Sequence, residues 1–401
     1  MNNSARRRFR LLYIAGPGDI IGTYDHWRRG EADPSQVAWT YSGQFFDVCR
    51  QLNAKALVIA SHNDKRVLVD GDFHLRHEPP LSRRLRGVSY HLAEIGRCLR
   101  LSLRALRYRA DVVVIAEGNH WFAWTPLAWL GVKSVASLHC AMWPAGHRPQ
   151  GRIARLLQTL NGRFWRGHVL GTLCVSPECE HQVRKIAGSL SRPMLQVRAQ
   201  YDRETFAEVR PPPAERKPFR ILYAGRIEPE KGVFDLLEAA QILKSRKPGH
   251  FVWEFCGGGS ALKQLGEEVV ARGLDKCVQV CGPLARTDMT KAYGRSHMVA
   301  VPTTSRFAEG LNKVVVEAVL AGRPVVTTRL AHAEGVLDDV LLLAESDNPE
   351  SFASHIQRLA EDDKLYQNIR DKMPDVTEQF YDRSLSWGNA LKKVLNDEVM
   401  S

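Results

Sequence analysis

The first candidates for chemistry are two glutamates, Glu309 and Glu317, within residues 301–326, VPTTSRFAEGLNKVVVEAVLAGRPVV. The apolar run and the glycine that follows it predict a helix over residues 311–321. Glu309 then lies just before the helix and Glu317 about two turns in, roughly 12 Å along the axis at about 1.5 Å per residue. Carboxylates at this separation suit a ligand held at both ends, although a pair of solvated surface acids would have the same spacing.

The start of that helix is a candidate anion site. The backbone N–H groups of Gly310, Leu311 and Asn312, together with the positive end of the helix dipole, would favour a phosphate. A nucleoside diphosphate sugar has the matching order of groups: sugar, two phosphates, ribose and base. The sequence therefore indicates such a ligand between the two glutamates.

Two cations, Arg226 and Lys231, stand five residues apart in the loop AGRIEPEKG, which follows the predicted strand 219–223. A forked guanidinium and a compact ammonium at the carboxyl end of a parallel strand suit a pyrophosphate. A pair of surface cations is the alternative. Their position at the edge of the sheet where ligands bind favours the pyrophosphate.

Glycine-bearing loops follow several other predicted strands, and they allow the backbone to come close to a ligand. The loop GPGDIIG is neither a dinucleotide-binding fingerprint nor a P-loop. The candidate ligand-facing residues of these loops are Gly257, Gly258 and Gly259 after strand 251–256, Leu284 after strand 278–280, and Gly16 and Gly18 after strand 9–15.

His139 ends the predicted strand 132–138. An imidazole at the carboxyl end of a parallel strand points into the ligand-binding edge, where it can hydrogen-bond a sugar hydroxyl or a departing phosphate. A structural histidine is the alternative.

These residues need two sheets to position them. At 401 residues the chain is too long for one ordinary core, and strand-loop-helix units recur on both sides of the segment RPPPAERKP. We therefore predict an α/β protein with an N-terminal Rossmann-like domain over residues 1–209, a linker over 210–218, a C-terminal nucleotide-sugar-binding Rossmann-like domain over 219–380, and a final helix in 381–401 that packs back on the first domain.

Composition narrows the class of protein. A hydrophobic share of 44% and a charged share of 25% are typical of a globular protein, and the net charge of +12 implies attraction to anions. No apolar run is long enough to span a bilayer, and no signal-peptide core follows the start MNNSARRRFR, so we expect a cytoplasmic protein. The eight cysteines include no CxxC pair, which predicts free thiols.

A basic amphipathic helix is predicted over residues 90–109, with five arginines opposite its apolar face: Arg97, Arg100, Arg104, Arg107 and Arg109. A crossover helix with a solvated basic face is one interpretation. The other is a surface that rests on anionic lipid, on the inner face of the cell membrane. The aromatic stretch WFAWTPLAWL, residues 121–130, is too short to cross a membrane.

With these motifs in hand, the chain resembles the family 4 glycosyltransferases, which are retaining enzymes of the GT-B fold: two Rossmann-like domains with parallel sheets facing across a cleft. The segments that carry the resemblance are GRIEPEKG, FCGGGS, VQVCGPL and residues 301–326, in the family's order and spacing. Over the first 210 residues the likeness is looser, because Ala199, Gln200, Tyr201 and Asp202 replace the usual Asn-Gly-Val-Asp turn.

The resemblance implies a role for each candidate residue. Arg226 and Lys231 would hold the donor pyrophosphate, Glu309 would face the donor sugar, and Glu317 the ribose hydroxyls. The loops 257–259 and 282–284 would frame the base, and His139 would close over the sugar from the first domain.

The implied activity is transfer of a sugar, of the hexosyl type, from a nucleoside diphosphate sugar to a hydroxyl acceptor without a metal cofactor. A cell-surface polysaccharide or a lipid-linked saccharide precursor is the expected acceptor. One alternative is an epimerase-like sugar-nucleotide enzyme on the same fold. The other is a basic nucleic-acid-binding protein, although no nucleic-acid-reading motif accompanies the charge.

Overall fold

The computed structural model of the protein describes residues 7–81 and 85–399, so residues 1–6 of the basic start lie outside the described residues. The chain divides into two compact units. The first comprises Met1–Met142, Pro149–Ala199 and Arg383–Ser401, and the second comprises Trp143–Arg148 and Gln200–Asp382.

Each unit contains one sheet. The strands of the first unit are β1 (Arg10–Pro17), β2 (Lys55–Ser61), β3 (Val67–Asp70), β4 (Phe73–Glu78), β5 (Val112–Ile115), β6 (Lys133–Leu138), β7 (Gly171–Cys174) and β8 (Met194–Gln196). Those of the second unit are β9 (Phe219–Ala224), β10 (Phe251–Cys256), β11 (Val278–Gly282), β12 (Met298–Val301), β13 (Val325–Thr327) and β14 (Leu341–Leu343).

The helices alternate with the strands as the sequence predicts. In chain order they are α1 (Ile20–Arg29), α2 (Tyr41–Gln51), α3 (Gly87–Tyr108), α4 (Thr125–Trp129), α5 (Arg152–Gly167), α6 (Pro177–Ala187), α7 (Arg203–Ala207), α8 (Val233–Arg246), α9 (Leu262–Ala271), α10 (Arg286–Arg295), α11 (Lys313–Leu320), α12 (Pro349–Glu361), α13 (Asp363–Thr377) and α14 (Trp387–Val399).

The first sheet has the strand order β3-β4-β2-β1-β5-β6-β7-β8. All neighbouring strands are parallel except β3, which pairs antiparallel with β4. The apolar strands β1 and β5 lie at its centre, and every residue of β5 is buried. Burial on both faces explains why these strands read as continuous apolar runs.

The second sheet has the order β11-β10-β9-β12-β13-β14 and is parallel throughout. Parallel strands require crossover connections, and helices α8 to α11 supply them. The sheet therefore places the ends of β9, β10, β11 and β12, with the loops that follow them, along one edge.

The last helix, α14, belongs to the first unit and packs against α2 and β7. Trp387 at its start is fully buried, and its indole N–H donates to Ser137 Oγ at 2.7 Å. The predicted return of the C-terminal helix to the first domain is confirmed.

The orientation predicted for α3 is wrong at two of its arginines. Arg97 is 8% exposed and pairs with Glu117, 2.5 Å away, and Arg104 pairs with Glu78. Both face inward, to Glu117 in the loop after β5 and to Glu78 at the end of β4, so the outward face of α3 keeps only Arg100, Arg107 and Arg109 of the five predicted arginines.

The segment 210–218, predicted as a linker, contains neither helix nor strand. Its backbone is tied to the second unit, where Arg323 donates to the carbonyl of Arg210 and His297 Nε2 lies 3.0 Å from the carbonyl of Glu215. Among the described residues, no helix combines the length and the apolar character needed to span a bilayer.

Candidate active site

The candidate site lies at the carboxyl edge of the second sheet. The chain runs from β9 outward to β10 and β11, then returns to the other side of β9 as β12. The order of the strands therefore reverses between β9 and β12, and in open parallel sheets ligands bind at such a point. The loop after β9 carries Arg226 and Lys231, and the loop after β12 carries Glu309.

Lys231 and Glu309 form an ion pair across this point, with 2.5 Å between Nζ and Oε2. The two side chains are only 14% and 12% exposed. Asn312 Nδ2 donates to the same carboxylate oxygen at 3.0 Å. The carboxylate is thus held by a cation and an amide, as a buried charge requires.

The ring of Phe307 positions both cations of the loop after β9. Lys231 Nζ lies 3.8 Å from the ring centroid, and the guanidinium carbon of Arg226 lies 5.5 Å from it. Cations within about 6 Å of an aromatic face are attracted to it. The three predicted residues Arg226, Lys231 and Glu309 therefore converge around one aromatic side chain that the sequence did not single out.

The start of α11 differs from the prediction in one respect. Asn312 caps the helix: its side-chain oxygen accepts from the backbone N–H of Val314 at 3.0 Å. The backbone N–H of Asn312 itself donates to the carbonyl of Ala331. The expectation that the Asn312 amide is available to a phosphate is therefore wrong. By contrast, the amides of the buried residues Gly310 and Leu311 have no acceptor among the residues that the structure describes.

Glu317 lies on α11 and is partly buried. The hydroxyls of Tyr293 and Tyr201 donate to its two carboxylate oxygens at 3.2 Å and 3.5 Å. Burial raises the pKa of Glu317 to about 7, and the nearby Lys313 and the two hydroxyls lower it only in part. This carboxyl group therefore changes protonation near neutral pH.

The glycine loops are joined to one another along the edge. The amide of Gly225 donates to the carbonyl of Cys256, the amide of Ile227 to that of Gly258, and the amide of Gly257 to that of Gly282. A Cβ at Gly257 would lie 1.7 Å from the carbonyl oxygen of Gly225.

A Cβ at Gly259 would likewise lie 2.2 Å from the carbonyl oxygen of Ile227. These two glycines are thus required for contact between loops, which differs from the close approach to a ligand that the sequence suggested. Leu284 follows β11 and is half-buried. Framing of a base by Gly258 and Leu284 stays a prediction.

In the first unit, Gly16, Gly18 and His139 lie at the carboxyl edge of the sheet. A Cβ on either glycine would meet open space. His139 is half-buried, with its ring 4.3 Å from that of Tyr41 and its Nε2 2.9 Å from Ser137 Oγ. The aromatic contact fixes the ring at the end of β6.

The same edge holds a polar cluster that the sequence analysis missed. Glu117 follows β5 directly, and it accepts from Ser61 Oγ at 3.1 Å and from Arg97 at 2.5 Å. Its side chain is 24% exposed. The signal was present in the sequence, because an acid just after a buried strand of a parallel sheet belongs at the ligand-facing edge.

One group in the second unit has the atoms for a metal ion. Ligand atoms of Glu254, Cys256 and Cys281 lie within 4.8 Å of one another. Arg295 already holds the carboxylate of Glu254, because its Nε lies 2.8 Å from both oxygens and its Nη2 donates to Oε2 at 2.5 Å, and burial raises the pKa of both thiols. A guanidinium at the carboxylate and protonated thiols oppose a cation, so this donor set does not fit a metal cofactor.

Comparison with known proteins locates a family match in the second unit. The model of the family "Glycosyl transferases group 1" matches residues 205–375. The chain is 32% identical over 150 residues to a D-inositol 3-phosphate glycosyltransferase of Saccharomonospora viridis, covering 35% of this chain and 34% of that protein. It is 26% identical over 183 residues to O-antigen chain mannosyltransferase B of Escherichia coli, covering 44% of each.

The matches thus span about a third to two fifths of the curated relatives' length. A comparison of structures extends over the whole chain. The crystal structure of Anabaena HepE in complex with UDP and glucose aligns with 98% of this chain and 100% of its own, with a TM-score of 0.65 at 14% identity. At that identity the likeness concerns the fold.

Proposed function

We propose that the protein moves a sugar from a nucleoside diphosphate sugar to a hydroxyl acceptor. The match of residues 205–375 to the model of the glycosyl transferases group 1 family and the GT-B fold of the chain support this proposal. The observation that carries the proposal is the convergence of Arg226, Lys231 and Glu309 on Phe307 at the reversal point of the second sheet. The two alternatives from the sequence, an epimerase-like enzyme and a nucleic-acid-binding protein, are not favoured by any of these matches.

The diphosphate would lie between the two cations and the amides of Gly310 and Leu311. When the bond between the anomeric carbon and the phosphate oxygen breaks, its electron pair stays on that oxygen. Arg226 and Lys231 stabilise the negative charge that develops there, which is the part a metal ion plays in other transferases. We therefore propose a reaction that needs no metal ion, and from the resemblance to the retaining family 4 enzymes we propose retention of configuration.

Glu309 has two functions in this scheme. It faces the donor sugar, and it fixes the Lys231 ammonium at 2.5 Å before the donor arrives. A cation held in advance needs no reorganisation as charge develops, and preorganisation is the main source of such electrostatic stabilisation. Glu317, with its two tyrosine donors, recognises the ribose hydroxyls further along α11.

We assign the acceptor to the first unit. The open space beside Gly16 and Gly18, the fixed imidazole of His139 and the partly exposed Glu117 provide room and hydrogen-bonding groups for a polyhydroxyl compound. A growing polysaccharide or a lipid-linked saccharide is the acceptor class we propose, and the similarity to O-antigen chain mannosyltransferase B of Escherichia coli supports it. The eight cysteines are all free, which supports a reducing, cytoplasmic compartment.

A panel of UDP-, GDP-, ADP- and dTDP-sugars in a thermal-shift assay tests the proposal, since a ligand that binds only the folded state raises the melting temperature. One nucleotide series should raise it in the wild-type protein and fail to do so in Lys231→Ala. The matched control is Lys263→Ala, whose side chain is 90% exposed on α9 and which should respond like the wild type. The proposal is wrong if no sugar nucleotide stabilises the wild-type protein and none is turned over.

A further inference from the structure

We propose that the helical layer formed by α3, α4 and α5 is an interfacial binding surface for a bilayer that contains anionic phospholipid. The inference starts from the outward face of α3. Its buried residues are Glu94, Arg97, Cys98, Leu101, Ser102 and Ala105. The opposite face carries four large aliphatic side chains in the open: Val88, Leu92, Leu99 and Leu103, which are 66%, 65%, 45% and 53% exposed.

These four residues form a continuous stripe. Their spacings of four, seven and four residues keep them on one side of an α-helix over about 22 Å, at about 1.5 Å per residue. Arg100 and Arg107 are exposed beside the stripe. An apolar stripe flanked by arginines is the pattern of a helix that lies in a membrane interface.

The surface continues on the neighbouring helices. The crossovers from β4 to β5, β5 to β6 and β6 to β7 all run in the same direction across the sheet, so right-handed connections place α3, α4 and α5 on the same face. The 3-10 turn Trp121–Trp124 packs against all three helices. Exposed apolar residues here are Trp129, Leu130, Ile153 and Leu156, and the exposed arginines on α5 are Arg152, Arg155, Arg163 and Arg166.

The charge of this layer is almost purely positive. Helices α3, α4 and α5 together hold eight Arg, no Lys and one acidic residue, a net charge of +7. On α3, α4 and α5 the only carboxylate is Glu94, which is 4% exposed. An anionic surface would therefore contact arginines and aliphatic side chains, and no exposed carboxylate on these three helices would repel it.

A lipid surface fits these features better than a protein partner. The apolar residues are spread over three helices and lie beside arginines, and arginine and tryptophan are the residues that suit the headgroup region of a bilayer. The inference does not depend on the transferase activity, because binding to vesicles requires neither donor nor acceptor.

Flotation of the full-length protein with vesicles tests the inference. The wild type should float with phosphatidylcholine vesicles that contain phosphatidylglycerol at low salt. It should float less at high salt and little with phosphatidylcholine alone, because surface charge attraction is screened by salt. Failure of the wild type to float with the anionic vesicles at low salt overturns the proposal.

Two variants separate the charged and apolar contributions. Arg100→Glu/Arg107→Glu should lower the apparent affinity by at least about tenfold, since each cation contributes about fivefold near an anionic surface. Leu92→Gln/Leu99→Gln/Leu103→Gln should lower it at least as much. The control, Val67→Gln/Val69→Gln, changes residues on β3 that are 62% and 60% exposed and should bind like the wild type.

Melting curves verify that each variant folds. If the triple leucine variant does not fold, the test uses the charge variant and the single variant Leu92→Gln. Wild-type vesicle binding by the leucine variant overturns the proposal, as does equal loss in the β3 control. A wild-type dimer that the leucine changes dissociate, without vesicle binding by either protein, would assign the stripe to self-association and also overturn it.

Discussion

Lys231 and Glu309 are 78 residues apart in the chain, yet their charged atoms lie 2.5 Å from each other. The pair joins the loops that follow β9 and β12, where the order of strands reverses. It therefore fixes a cation at the place where a parallel sheet binds its ligand.

Loss of this cation should reduce turnover far more than stability. We expect Lys231→Ala to lower turnover by about 100-fold to 1,000-fold, the usual effect of removing one preorganised group that stabilises developing charge. Steady-state kinetics with the donor that the panel of sugar nucleotides identifies measures it, and Lys263→Ala on the same unit should retain wild-type turnover. Wild-type turnover in Lys231→Ala would contradict the assignment of the site.

Glu309→Gln and Arg226→Ala should each lower turnover by orders of magnitude while the fold persists. If Lys231 and Glu309 act as a unit, the double variant Lys231→Ala/Glu309→Gln should be hardly worse than either single variant, because the first change already removes what the pair supplies. Kinetics of all three proteins measure this coupling. Losses that multiply in full would show that the two residues act independently.

The ring of Phe307 should matter through the cations that it orients. Replacement by leucine removes the aromatic face that lies 3.8 Å from Lys231 Nζ. Cation–π contacts contribute about 0.5 to 2 kcal/mol, so we expect kcat/KM to fall about twofold to thirtyfold in Phe307→Leu. Phe307→Tyr keeps the face and should retain most of the activity, and equal activity in the leucine and tyrosine variants would rule out this function of the ring.

The donor half of this site could be predicted from the sequence for a physical reason. Each reactive residue there follows a buried strand of a parallel sheet, and the carboxyl ends of such strands share one edge. Phe307 and Tyr293 were not predicted as site residues. The sequence around an aromatic residue in a loop or a helix does not show which charged group its side chain contacts.

The hairpin of β3 and β4 was not predicted for a related reason: β3 (VLVD) is only four residues long, and β4 (FHLRHE) is mostly polar. The predicted orientation of α3 was wrong because leucines occur on both of its faces. Helical periodicity alone does not show which face meets the sheet, and it does not show that Arg97 and Arg104 pair with Glu117, in the loop after β5, and Glu78, at the end of β4.

Glu317 should make stability depend on pH in the direction opposite to most carboxylates. Its pKa is about 7 in the folded protein against 4.5 for an ordinary glutamate, so between these values the folded state binds more protons than the unfolded state. Stability from this group is therefore highest below about pH 4.5 and is lost as the pH rises to about 7. Unfolding of the wild type and of Glu317→Gln across this range should show the variant gaining stability relative to the wild type as the pH rises.

The same carboxyl group should couple nucleotide binding to pH. Ribose hydroxyls that donate to Glu317 favour its ionised form, so the affinity for the donor nucleotide should rise as the pH passes through about 7. Calorimetric titration at several pH values measures this change. An identical pH profile in Glu317→Gln would show that the dependence comes from another group.

The glycines at the edge of the second sheet allow a test between two functions, contact between loops and close approach of a ligand, because the two predict different effects of substitution. A Cβ at Gly259 would lie 2.2 Å from the carbonyl oxygen of Ile227, and backbone at this distance must move. We expect Gly259→Ala to lower the free energy of unfolding by about 1 to 3 kcal/mol, as overpacking does, even without ligand.

The control is Gly266→Ala on α9, where a Cβ meets open space. It should stabilise the helix by about 0.5 to 1 kcal/mol. Denaturant unfolding of both proteins measures the difference, and if Gly259→Ala were as stable as the wild type but bound nucleotide poorly, the glycine would serve the ligand and not the contact between loops.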